Sequence, residues 1–193
     1  DMDECRAMLR EGGADILIAY QALTDAGAAA PGEDRIALAS DALIAVAAPA
    51  IATRITDPAQ AGGRVDVVAY PANVFFGTLL HRDVLPGIRA TRDLRIRCET
   101  ALASGVMELV LAELGVGWLP RLLAEEKLVS GRLVDVTDVL GGVPLDIVAT
   151  RARQNTNPLI GEAWRVLGEA RVAPNAIGGP PGAGMPLSRP PSR

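Results

Sequence analysis

The chain is short of the residues that usually make metal or covalent chemistry. Its 193 residues hold one histidine, His81, and two cysteines, Cys5 and Cys98. A four-ligand structural zinc site would therefore have to recruit several carboxylates, and no metal is expected. Two cysteines are too few for a disulfide framework, so two free thiols are the default. Positive charge is also scarce: 19 Lys and Arg against 23 Asp and Glu leave a formal charge of -4. Gripping DNA needs clustered cations, so this piece is not expected to do so by itself. No apolar run reaches the roughly 20 residues a membrane-spanning helix requires, because Asp41, Glu108 or Gly115 interrupts each candidate. The start lacks the basic-then-apolar order of a signal peptide. A membrane partner and export are accordingly not expected.

What the chain does have is 49% hydrophobic residues in a regular alternation of two periods. Met2, Cys5, Met8 and Leu9 fall at helical spacing and Gly12-Gly13 ends the run, which predicts a helix to Arg10. Asp15 to Tyr20 then reads as a parallel strand buried on both faces, and Gln21 to Gly32 as a loop. Two apolar stretches between Arg35 and Pro49 predict a long, bent strand pair. Asp57-Pro58 is an N-cap and first-turn proline, opening a brief helix. Strands are expected over Val65–Tyr70, Leu94–Cys98, Val116–Leu119, Leu133–Val136 and Leu145–Ala149. Helices are expected from Asn73 to Val84, where Pro86-Gly87 stops it, from Ser104 to Leu114, from Pro120 to Glu126, and from Pro158 to Ala170. In the last, Leu159, Ile160, Ala163 and Leu167 share a side. The alternation predicts an α/β class with mainly parallel sheets. Residues 173–193, crowded with proline and glycine, read as a disordered tail.

Several residues invite a chemical reading. Tyr70-Pro71-Ala72-Asn73 lies where a strand hands over to a helix, and Thr100, Ala101 and Ser104 occupy an equivalent loop. Asn73 and Ser104 are each open between plain capping and ligand contact. Trp118 is open between packing and a cleft wall, with packing favoured. His81 beside Arg82 and Asp83 reads as solvated, and period two sends Cys98 to the core face of its strand. No nucleophile elbow and no carboxylate pair stands out, so an enzyme is not expected. Gly115-Val116-Gly117 is a helix stop rather than a dinucleotide fingerprint.

Three stretches carry a family resemblance. Leu9 to Ile18 follows an "L-x-x-G-x-x-D-hydrophobic" helix-to-strand pattern, Asp41 to Pro49 is a crossover strand ending in proline, and Val110 to Pro120 ends in Gly115-Val116-Gly117-Trp118-Leu119-Pro120. In this order and spacing they resemble the effector-binding domain of LysR-type transcriptional regulators. Glu113 and Leu114 depart from the small residue and glycine usual there. The resemblance implies a two-lobed, periplasmic-binding-protein-like (type 2) fold over residues 1–172, truncated at its N-terminus. Lobe one would hold 1–45 and 148–172, and lobe two 46–147. It implies a cytoplasmic homodimer or higher homo-oligomer that meets DNA only through a preceding winged helix-turn-helix. The solute receptor of a transporter, which shares the fold, is the alternative.

Ligands of open α/β sheets sit beyond the carboxyl ends of strands, where helix N-termini favour anions. The expected ligand is thus a small, anionic organic effector, with neutral ones still open, and no cofactor. Its expected contacts are Tyr20, Gln21, Tyr70, Pro71, Ala72, Asn73, Thr100, Ala101, Ser104 and Trp118.

Overall fold

The computed structural model describes residues 2–25 and 29–170, so the expected tail lies outside the described residues. The chain opens with α1 (Met2–Glu11), which ends at Gly12 in the left-handed region (φ 76), where the Gly13 amide donates back to the Met8 carbonyl. Strand β1 (Ile16–Ala22) leads into a 3-10 turn at Leu23–Asp25, and β2 (Glu33–Ala47) follows. Then come α2 (Pro49–Thr56), a 3-10 turn at Pro58–Gln60, and β3 (Arg64–Ala69). The next elements are α3 (Phe75–Asp83), α4 (Leu85–Thr91), β4 (Asp93–Glu99), α5 (Ala103–Leu111) and β5 (Gly117–Pro120). Last are α6 (Arg121–Val129), β6 (Val134–Asp135), α7 (Thr137–Leu140), β7 (Val143–Ala152) and α8 (Pro158–Glu169).

The sheets correct the expectation of mainly parallel pairing. The larger one runs β1-β7-β2-β5, with β6 beside β2, and every pair in it is antiparallel. Among the described residues only β3 and β4 pair as parallel strands, with a further parallel bridge from Val67 to Val116. The cause is β7, which runs back between β1 and β2, so those neighbours are not joined by crossover helices. Nor is β1 buried on both faces, because Ile18 is 53% exposed. A continuous apolar run does not distinguish a doubly covered strand from one at a sheet edge.

The expected strand pair between Arg35 and Pro49 is one strand of 15 residues, bent by an irregularity between Ala37 and Ala39. Its first part pairs with β7 as far as Leu43, and its last part pairs with β5 and β6. The core gathers around that second part: Leu43 to Ala48 are all buried, together with Val65, Val67, Tyr70, Trp118 and Leu119. Asp57 does cap, accepting the Ala59 amide, but what it opens is only a 3-10 turn. Among the described residues no helix is long and apolar enough to cross a membrane.

Candidate functional site

Glycine and aromatic side chains fix the site's frame. A Cβ on Gly77 would lie 1.9 Å from the Pro71 carbonyl oxygen, so only glycine lets α3 rest against the exit of β3. Phe76 of that helix meets Tyr20 at 5.6 Å, Tyr70 at 5.5 Å and Phe75 at 5.4 Å between ring centroids. Tilted rings at this spacing are favourable contacts. Four of the chain's six aromatic residues thereby pin the end of β1 to α3.

Beside this cluster lies a cavity of about 360 Å³. Its floor is apolar, with Ala22 and Leu79, and its walls carry Gln21, Asn73 and Thr78. Arg6 of α1, Arg35 of β2 and Arg82 of α3 line it too, and among the described lining residues Asp25 is the one carboxylate. Gln21, 8% exposed, is held at both ends: Arg35 Nη1 donates to its Oε1 at 3.1 Å, and its Nε2 donates to the Asp25 carbonyl at 2.8 Å. Arg82 donates from Nε and Nη2 to the two carboxylate oxygens of Asp83, both at 2.8 Å. From its other end Nη1 reaches Asp25 Oδ1 at 3.1 Å, and Nη2 reaches Thr24 Oγ1 at 3.0 Å. The hydrogen bond from Arg82 holds the Asp83 carboxyl below its usual range, and Arg82 is in turn held more firmly protonated by Asp83 first and Asp25 second. No side chain caps the first turn of α3, which borders the cavity at Phe75. Orphan amides there favour an anionic neighbour.

The ten sequence-chosen residues divide by position. Gln21 and Asn73 line this cavity. Tyr20 is half-buried beside it, its hydroxyl donating to Asp41 Oδ2 at 2.9 Å, and burial followed by the Asp41 charge pushes its ionisation well up. Pro71 and Ala72 present carbonyls to the Val74 amide and the Thr78 hydroxyl. Tyr70 and Trp118 are core residues, 1% and 0% exposed, with the Tyr70 hydroxyl donating to the Trp118 carbonyl and Trp118 Nε1 to the Gly141 carbonyl. Thr100 joins the same end of the sheet, its amide donating to the Ala69 carbonyl, yet neither it nor the exposed Ala101 and Ser104 lines the cavity.

Four details need correction. Asn73 does not cap α3, whose cap position is Val74, and Ser104 does not cap α5, whose cap position is Leu102. The cap position of α3 lies one residue after Asn73 and that of α5 two residues before Ser104. His81 is half-buried rather than solvated, and its Nε2 has no partner among the described residues. Cys98 is half-buried, not in the core, because β4 is paired on one side only.

Sequence reasoning missed the arginines. Met2 and Arg6, like Thr78 and Arg82, stand four apart on their helices, and that spacing would have placed each pair on one face. Nothing in the sequence alone brings those two faces and Arg35 to one cavity.

The family model of the LysR substrate binding domain matches residues 1–171. No curated protein matches the chain. Among solved structures it is similar to the apo regulatory domain of HypT from Salmonella typhimurium, with a TM-score of 0.73 at 21% identity over 89% of this chain and 79% of that one. It is also similar to Vibrio fischeri DarR in complex with DNA, TM-score 0.68 at 22% identity, over 88% of this chain and 56% of DarR. For full-length LysG from Corynebacterium glutamicum with bound effector Arg, the TM-score is 0.62 at 18% identity, over 89% of this chain and 56% of LysG. At such identities the likeness is one of fold, and the chain spans little more than half the length of DarR or LysG.

Proposed function

This chain belongs to the LysR substrate binding domain family, and from that premise we propose that it senses a small organic effector in the cavity between α1, the end of β1 and α3. Domains of this family are regulatory rather than catalytic, and the regulators that carry them bind small effectors and DNA and form oligomers. The α/β architecture with its curled sheet is the periplasmic-binding-protein-like type 2 fold of that family. In the proposed reading the domain reports to DNA through a winged helix-turn-helix of a longer cytoplasmic protein that pairs as a homodimer. Lobe one takes 1–45 and 148–172 and lobe two 46–147. The strand β2 supports this division, since its pairing passes from β7 to β5 and β6 at Leu43.

The observation that carries the effector reading is the position of the cavity. It lies past the carboxyl end of β1 and at the uncapped first turn of α3, where ligands of α/β sheets are held. Of the ten candidate contacts, Gln21 and Asn73 have the strongest support, Tyr20 precedes Gln21 in the chain, and Thr100 is tied to the Ala69 carbonyl at the end of β3. A thermal-shift screen of metabolites tests it, because a ligand at about a hundred times its Kd stabilises by about 2.7 kcal/mol. A hit should lose its effect in Asn73→Ala or Arg35→Gln, and equal shifts in wild type and both variants would place the site elsewhere. Thr100→Phe, tried with the same hit, decides whether the second loop takes part.

A further inference from the structure

Asp25 and Arg82 meet across 57 positions of sequence, and both line the cavity. We propose that the Asp25 carboxylate is an internal stand-in for the effector: a carboxylate of the effector takes its place on Arg82, so that the Asp25–Arg82 contact and cavity occupancy exclude one another. The proposal rests on the reading of this cavity as the effector site.

The geometry of each partner suits an exchange. Arg82 is held on its Nε and Nη2 edge by both oxygens of Asp83, so the guanidinium stays in place when Asp25 leaves. Asp25 reaches it only by sharing one nitrogen, Nη1, between Oδ1 at 3.1 Å and Oδ2 at 3.3 Å. That is weaker than the two parallel bonds an arginine makes with a well-placed carboxylate. The two side chains are 46% and 43% exposed, so water screens the contact and its rupture costs little. The turn bearing Asp25 is held mainly by its carbonyl, which accepts Gln21 Nε2 at 2.8 Å, while the carboxylate accepts only a long bond from Thr24 Oγ1 at 3.4 Å within the turn. Finally, Arg6 and Arg35 line the same cavity as Arg82, so a ligand anion that replaces Asp25 has further guanidinium-bearing residues beside it. An anion therefore finds a guanidinium already aimed, guarded by a group that can leave.

Calorimetric titration with sodium succinate at constant ionic strength, and with uncharged succinamide as control, tests the exchange. Asp25→Asn should bind succinate about two- to fivefold more tightly than wild type, the equivalent of about 0.4–1 kcal/mol for an exposed ion pair. Arg82→Gln should weaken it by about tenfold or more, as loss of a charge-assisted bond does. The double variant should bind no better than Arg82→Gln alone. Succinamide should show none of these differences. Unchanged or weaker binding by Asp25→Asn overturns the proposal, the latter because Asp25 then touches the ligand itself. A gain that persists without Arg82 overturns it too, as a general charge effect. If succinate binds but Arg35→Gln leaves its affinity untouched, the cavity reading fails rather than the exchange. If neither wild type nor Asp25→Asn binds succinate, both fail.

Discussion

Gly77 and Gly117 show how closely single residues are fitted here. A Cβ at Gly77 would run into the Pro71 carbonyl at 1.9 Å, a backbone atom that cannot step aside. One at Gly117 would meet Val106 Cγ1 at 2.5 Å and Val110 Cγ2 at 2.7 Å, which are side-chain methyls with some room to turn. Gly77→Ala should therefore cost about 3 kcal/mol or more and Gly117→Ala less, toward the lower part of the overpacking range. Urea denaturation measures both, and a Gly77→Ala protein as stable as wild type would contradict the helix placement. Asp34 offers a pH test. The hydrogen bond from Arg153 at 2.9 Å, partly opposed by burial and aided by Arg151 at 3.3 Å, holds its carboxyl below the ordinary 3.8. A lowered native value means the stabilising contribution is complete above the unfolded value and disappears as pH falls through the lowered one. Between pH 6 and pH 3 the melting temperature of Asp34→Asn should fall less steeply than that of wild type, and superimposed acid limbs would show that the pair contributes nothing. None of this was legible in sequence, because Asp34 and Arg153 are 119 apart.

At the scale of elements, period and punctuation were readable and partnership was not. The helix stop at Gly12-Gly13 and the cap at Asp57 are local chemistry, and both are found. Pro86-Gly87 was ambiguous in kind: it reads as the end of α3, but a proline also suits the first turn of a helix, and α4 begins at Leu85. Helix α2 starts the same way at Pro49, a proline that reads more simply as the end of a strand. The apolar side of α8 was misplaced by one residue. Leu159 is 78% exposed, whereas Ile160, Ala163, Trp164 and Leu167 are half-buried at helical spacing, with Trp164 under the Arg151 guanidinium at 4.7 Å. Leu159→Glu should then change stability by less than about 0.5 kcal/mol, while Leu167→Glu, which sets a charge against the sheet, should cost at least about 1 kcal/mol. Equal effects would show that α8 does not rest on the face described. The parallel sheet was the larger error, and its source is the same: an apolar run announces burial, but which strand lies beside it depends on where β7, more than a hundred residues later, returns.

For the whole molecule, we propose that α1 of one copy meets α3 of another, the pairing that the family resemblance implies for a homodimer, and burial decides which residues can test it. Leu79 is 1% exposed in the core, so Leu79→Glu would report on folding, and Phe75 is half-buried against Phe76. Helix α1 is divided more clearly. Met2 and Arg6 line the cavity, Leu9 is buried, and Glu4, Met8 and Glu11 recur on the outward side, Met8 with 47% of its surface exposed. An outward methionine between carboxylates is the apolar point such a contact would use. In a two-fold dimer each copy supplies the same surface, so one substitution alters two contacts at once. Met8→Glu should thus move sedimentation velocity profiles from dimer to monomer at micromolar concentration while its far-ultraviolet circular dichroism spectrum keeps the wild-type shape. A wild-type dimer unaffected by Met8→Glu would remove α1 from the interface. If the dimer does fall apart, a single helix of ten residues carries cavity-lining Met2 and Arg6 on its inner face and the partner on its outer one, so the two faces are joined by one short stretch of backbone.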